Sequence, residues 1–231
     1  MSEPLRIISS MATRQVLASL VDAYQQATGT AVALESVGGV DAAKRVQDGE
    51  AVDLVVLASD AIDKLAATRA VLGDSRRGIV DSAVALAVRE GAAKPDVSSE
   101  NTLRQTLLAA QSIGYSTGPS GNALLKLFDR WGLADTLKPR LVQARPGIPV
   151  GSLVAKGEAE IGFQQLSELM DQPGITLLGG MPSPLEIITT FTGAVAARST
   201  RAAEAQALLD FMTATDKADL KRRLGMDVPR A

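Results

Sequence analysis

The chain alternates short apolar runs with amphipathic stretches. Residues 5–8 read as a short strand, and residues 9–14 as the turn out of it. Val16, Leu17, Leu20, Val21 and Tyr24 then recur at helical spacing, and Gly29 is expected to end that helix. Residues 31–37 predict a second strand, running into Gly38 and Gly39. Asp41 is expected to cap a helix through Val46. Residues 53–58 are a buried-type strand, after which Ser59 and Asp60 open another helix. Further on, residues 101–110 read as a helix capped by Ser98 or Ser99. Residues 113–122 read as a strand, a Gly/Ser/Pro turn and a helix start. A short strand at 141–143 precedes Ile148, Pro149, Val150, Gly151 and Ser152, which lead into a helix with Leu153 and Val154. A strand at 159–163 ends at Gln164 and Gln165, a short helix follows at 167–170, and a strand at 175–178. Ala205, Leu208, Leu209, Phe211 and Met212 mark a helical face near the end. The alternation of strand and helix predicts a parallel α/β sheet.

Two long extended stretches, 79–89 and 187–196, are the only candidates for crossovers between lobes. They divide the chain into a discontinuous first lobe, 1–83 with 189–231, and a second lobe, 84–188.

Several strands share one punctuation: an apolar run, then Ser or Gly, then a helix. In open α/β sheets, ligands bind at the carboxyl ends of strands. Helix starts present unpaired N–H groups and the positive end of the helix dipole, which favour an anion. The candidates at such ends are Ser9, Ser10, Gly38, Gly39, Ser59, Thr117, Ser120, Gly121, Asn122, Val150, Gly151, Ser152 and Gln164. Arg14, beside the first loop, can hold a carboxylate through two parallel hydrogen bonds. Ser10 and Ser120 can also act as helix caps.

Composition narrows the chemistry. The 231 residues contain no Cys and no His. Thiolate nucleophiles, zinc–sulfur sites and imidazole bases are therefore excluded, and no cofactor or metal is expected. Any proton transfer falls to Asp, Glu, Lys, Tyr or water. A net charge of −2 gives no nucleic-acid footprint, and no apolar run is long enough for membrane insertion. Met1 to Arg6 lack the pattern of a secretory leader. The expected location is periplasmic if a leader has been removed, and cytoplasmic if Met1 is the native start.

This organisation resembles the type II periplasmic binding-protein fold, in the molybdate-binding protein family. The resemblance is carried by Ile7-Ile8-Ser9-Ser10-Met11-Ala12, by Gly29-Thr30-Ala31-Val32, by Gly49-Glu50-Ala51-Val52-Asp53-Leu54, and by Lys156-Gly157-Glu158-Ala159-Glu160-Ile161-Gly162-Phe163. It implies two Rossmann-like α/β lobes with a two-crossover hinge, and a small anion, carboxylate or oxyanion, held between the lobes. As a binding protein the chain would be a monomer that serves an ABC permease. Two departures point away from molybdate. Val37-Gly38-Gly39-Val40 stands where molybdate binders place a Gly-Ser-Gly, and Gln164-Gln165 where they place a Tyr. The Gly-Phe-Gln-Gln and Gly-Pro-Ser-Gly words resemble a branch that includes aconitate isomerase. That branch implies an alternative function, isomerisation of an unsaturated di- or tricarboxylate without a cofactor. Glu35, Asp41 and Lys44 are then the candidate bases.

Overall fold

A computed structural model describes residues 3–145 and 147–230. The expectation about the N-terminal leader falls partly on Met1 and Ser2, outside the described residues. The chain forms two compact units. One comprises the chain up to Asp81 together with the chain from Thr190 onward, and the other is Ser82–Thr189.

In the first unit, β1 (Leu5–Ser10) lies between β2 (Val32–Val37) and β3 (Leu54–Ala58), parallel to both. The last strand, β9 (Ile188–Val195), pairs antiparallel with β3. Every residue of β3 is buried, as its unbroken apolar run requires. Three helices connect these strands: α1 (Arg14–Thr28), α2 (Gly39–Gln47) and α3 (Ser59–Ala67). The predicted face of α1, Val16, Leu17, Leu20, Val21 and Tyr24, is buried against Leu5, Ile7 and Leu54 and the C-terminal helix α9 (Ala202–Thr213). Gly29 adopts φ 71°, the left-handed turn that ends α1. The final short helix is α10 (Ala218–Arg223).

The second unit is built on β4 (Arg77–Arg89), which enters it from the first. β4 pairs antiparallel with β7 (Ile161–Gln165) and with β8 (Ile175–Gly180). β5 (Ile113–Tyr115) is parallel to β7 and to β6 (Leu141–Gln143). Its helices are α4 (Glu100–Ala109), α5 (Pro119–Arg130), α6 (Ala134–Leu137), α7 (Val150–Ala155) and α8 (Leu166–Leu169). Ser99 caps α4 in a reciprocal box with Thr102.

Two corrections to the sequence reading follow. The sheets are mixed, because β4 and β9 run against their neighbours. Asp41 also lies inside the first turn of α2, where Gly38 is the cap residue.

One contact positions the second unit's loops. Gly114 and Gly162 face each other in register on β5 and β7. A Cβ at Gly162 would stand 2.6 Å from Val154 Cγ2, and one at Gly114 3.0 Å from Val150 Cγ1. The two glycines thus let α7 lie directly on the strands, which brings its first residue to the end of β7.

Candidate functional site

In the first unit, the candidate donors gather where β1 and β2 end. Ser10 Oγ accepts from Ala12 N at 3.4 Å, opening a single 3-10 turn ahead of α1. The same hydroxyl lies 3.8 Å from where a Cβ on Gly39 would be. The first internal bond of α2 runs from Ala42 N to Gly38 O at 2.9 Å, so the N–H groups of Gly39, Val40 and Asp41 precede it. Arg14 is exposed at the first residue of α1, and it forms no ion pair or side-chain hydrogen bond among the described residues.

Ser9 and Ser59 stand differently. The Ser9 hydroxyl is buried and bonded to Ser36 Oγ at 2.8 Å. Ser59 Oγ bonds Thr192 Oγ1 at 2.7 Å and Thr190 O at 3.0 Å, tying the start of α3 to β9. Both hydroxyls already hold the fold together.

In the second unit, α5 begins with Pro119 at its first turn and Gly118 as its cap residue, so Ser120 is not the cap. Ser120 is buried and donates to Gln165 Oε1 at 3.2 Å, while Ser116 Oγ lies 3.0 Å from Ser120 Oγ. These hydroxyls serve each other and the end of β7. The free donors are the N–H groups of Ser120 and Gly121, ahead of the first internal bond from Asn122 N to Gly118 O at 3.1 Å. Thr117 and Asn122 are exposed beside them. Gly121 is required here, because a Cβ would lie 1.9 Å from Ser116 O.

Gln164 is buried, and its Oε1 accepts from Val150 N at 2.7 Å, so it caps α7 rather than presenting a free amide oxygen. Ser152 Oγ donates back to Pro149 O at 2.8 Å. Gly151 leaves its N–H ahead of the first internal bond of α7.

The candidate bases divide. Glu35 is held by both Arg45 nitrogens at 2.7 and 2.9 Å, and Arg45 also bonds Glu50. The Arg45 guanidinium keeps the carboxyls of Glu35 and Glu50 below the usual range. Lys44 pairs with Asp48 at 2.6 Å. Asp41 is exposed in the first turn of α2. A group that sequence reasoning missed is Glu168, the third residue of α8. Burial pushes its carboxyl up to about 7, against the opposing hydrogen bond from Gln164. The sequence signal was faint: a carboxylate three residues past a strand end that carries two glutamines.

A cavity of about 150 Å³ lined by Gln47, Gly49, Thr68, Arg69 and Arg198 lies at the other end of the first unit's sheet, away from the strand ends that carry these loops. Among the described residues no group of His, Cys, Asp and Glu side chains could hold a metal ion, and no helix is long and apolar enough to cross a membrane.

The sequence profile of the bacterial extracellular solute-binding proteins matches residues 5–227. The chain is 38% identical over 222 residues to an aconitate isomerase from a Pseudomonas species, covering 93% of this chain and 84% of that one. Among solved structures, it superposes on the periplasmic molybdate-binding protein of Azotobacter vinelandii with a TM-score of 0.80 at 19% identity, over 98% of this chain and all (100%) of that one. PEB3 of Campylobacter jejuni with L-phospholactate bound gives a TM-score of 0.73 at 13% identity, over 97% and 100% of the two chains. These two likenesses establish the fold that the sequence words suggested.

Proposed function

The chain belongs to the bacterial extracellular solute-binding protein family, and we propose that the solute it holds is a small carboxylate rather than a tetrahedral oxyanion. The observation that carries this reading is a set of apolar side chains left exposed among the donor loops. In the first unit, Met11, after Ser10, is 37% exposed, and Val40, after Gly39, is 86% exposed. An oxyanion offers oxygen atoms alone and would leave these groups wet. The carbon skeleton of a di- or tricarboxylate covers them while its oxygens meet the N–H groups.

Arg14 supports the same reading, since its guanidinium suits a planar carboxylate. The Pseudomonas relative is named for a tricarboxylate. In the first unit the donors in this reading are Ser10, Arg14, Gly38 and Gly39; the second unit offers Thr117, Asn122 and the N–H groups of Ser120, Gly121 and Gly151. Gln164 and Ser120 hold the starts of α7 and α5 in place. In this role the loaded protein delivers its ligand to an ABC permease. A second reading, favoured by the same relative and by Glu168, is that the bound carboxylate undergoes a proton shift.

Val40→Asp tests the carboxylate reading. It places a like charge where the carbon skeleton is proposed to lie, on a surface where substitutions cost little stability. Calorimetric titration should show citrate and cis-aconitate binding at least about tenfold more weakly, a loss of roughly 1.4 kcal/mol, with the unfolding midpoint nearly unchanged. Unchanged affinity would remove this loop from the site.

A further inference from the structure

The cavity at the far end of the first unit's sheet is walled by two helix ends that close in the same way. After α2, Gly49 N donates to Val46 O at 3.0 Å and Glu50 N to Arg45 O at 3.0 Å. After α3, Arg69 N donates to Ala66 O at 3.0 Å and Ala70 N to Leu65 O at 2.8 Å. This pair of bonds needs a left-handed residue just past the cap, and glycine takes that conformation without steric cost. Gly49 fills the position after α2, at φ 90°. After α3 the same position holds Arg69 at φ 59°, the one non-glycine residue with positive φ among the described residues. An arginine in that conformation costs the fold stability, and strain of this kind gathers where a side chain has work to do.

Arg69 shares the cavity wall with Arg198, which lies three residues past the end of β9. The Arg198 guanidinium rests against Gly49: a Cβ there would collide with Nη1 and stand 2.8 Å from Cζ. Neither arginine forms an ion pair or side-chain hydrogen bond among the described residues. Glu50, the one acid in the wall, is already held by Arg45 at 2.5 and 2.6 Å. Gln47 Oε1 accepts from Thr68 Oγ1 at 2.7 Å, which turns the Gln47 amide N–H groups to other use. Val46 and Ala196 are buried, so the open part of the wall is polar. A positive charge at a helix C-terminus is favourable on its own. That accounts for the charge at residue 69 but not for a left-handed arginine, when glycine serves the same motif after α2.

We propose that this cavity is a second anion site, which holds a phosphate group between Arg69 and Arg198. Each planar guanidinium can give a phosphate two parallel bonds, and the Gln47 amide adds a neutral donor. A phosphate group is nearly all oxygen, which suits a wall without exposed apolar side chains and contrasts with the loops that carry Met11 and Val40. Every lining residue belongs to the first unit, and the site is independent of the solute that the donor loops take. The phosphate is either the free ion or the end of a phosphorylated small molecule.

The experiment titrates the full chain calorimetrically with inorganic phosphate and with glycerol 3-phosphate, at an ionic strength held constant with sodium chloride. At least one of them should bind saturably. Arg69→Gly and Arg198→Ala should each weaken that binding about tenfold or more, as the loss of a charged hydrogen-bonded pair does. Arg69→Lys keeps the charge without the planar fork and should recover only part of the affinity. Arg69→Gly should unfold at or above the parent's midpoint in phosphate-free buffer, because relief of the left-handed strain offsets glycine's greater freedom in the unfolded chain. Its lost affinity then reports the site and not the fold. Tighter binding of the ester would support the site as one for a phosphorylated small molecule, and equal or tighter binding of the free ion as one for inorganic phosphate. Undiminished affinity in Arg69→Gly or in Arg198→Ala would overturn the assignment, and so would a parent with no saturable response to either probe.

Discussion

Hydroxyl groups in this chain divide into those the fold consumes and those it leaves open. Ser9 spends its hydroxyl on Ser36, Ser59 on β9 and Ser120 on Gln165. Ser10, Thr117 and the helix-start N–H groups remain near the strand ends. Arg14 is the one cation among the proposed donors, and Arg14→Ala should weaken carboxylate binding about 10- to 100-fold, as expected for a charged hydrogen-bond pair worth roughly 1.5–3 kcal/mol. Its thermal midpoint should stay within a degree or two of the parent, because surface substitutions away from caps and core cost little; a calorimetric affinity equal to the parent's would exclude Arg14 from the site. Glu168 yields a prediction independent of ligand. Its folded value of about 7 exceeds its unfolded value of 4.5, so the folded state binds the proton more tightly. Stability from this group is present below pH 4.5 and falls as pH rises to about 7. The loss is at most about 3 kcal/mol, and partial exposure makes it smaller. Glu168→Gln should remove that slope from urea-unfolding free energies measured across the interval, and an unchanged slope would mean that Glu168 is not desolvated. Sequence could present the serines but not sort them, because the bonds that consume Ser9, Ser59 and Ser120 join residues far apart in the chain. Glu168 was illegible for the same reason: burial, which sets its chemistry, is a property of packing.

At the scale of elements, local signals carried far. The face of α1, its Gly29 terminus, the unbroken β3 and the Ser99 cap of α4 all follow from short-range pattern. Helix starts were placed less well. Asp41 and Ser120 looked like caps, yet Gly38 and Gly118 hold those positions, because the chain enters each helix two or three residues earlier. Strand direction was also hidden, since β4 and β9 find partners distant in sequence. The Gly114–Gly162 pair is the element-scale device that sets α7 against β5 and β7. Gly162→Ala puts a methyl 2.6 Å from Val154 Cγ2 and 2.9 Å from Val150 Cγ1. Overpacking of this kind costs about 1–3 kcal/mol. Chemical unfolding should show a loss in that range, and affinity should fall as the start of α7 is pushed from Gln164. A variant as stable as the parent would show that α7 yields without cost, and that the close approach does not position the loop.

At the scale of the whole chain, two mixed α/β units joined through β4 and the start of β9 account for the family match and the structural neighbours. The strand–helix alternation and a handful of family words made this fold legible. The ligand class was not, because relatives of one fold differ in what their loops present. Here the loops present N–H groups, the Arg14 guanidinium and exposed apolar carbons. The measurement that tests this most directly is a calorimetric titration of the full chain with citrate, cis-aconitate, trans-aconitate, molybdate and sulfate under identical buffer. At least one tricarboxylate should bind with a dissociation constant about tenfold or more below that of either oxyanion, a preference of roughly 1.4 kcal/mol or more. Tight binding of molybdate with no heat from any carboxylate would contradict the account.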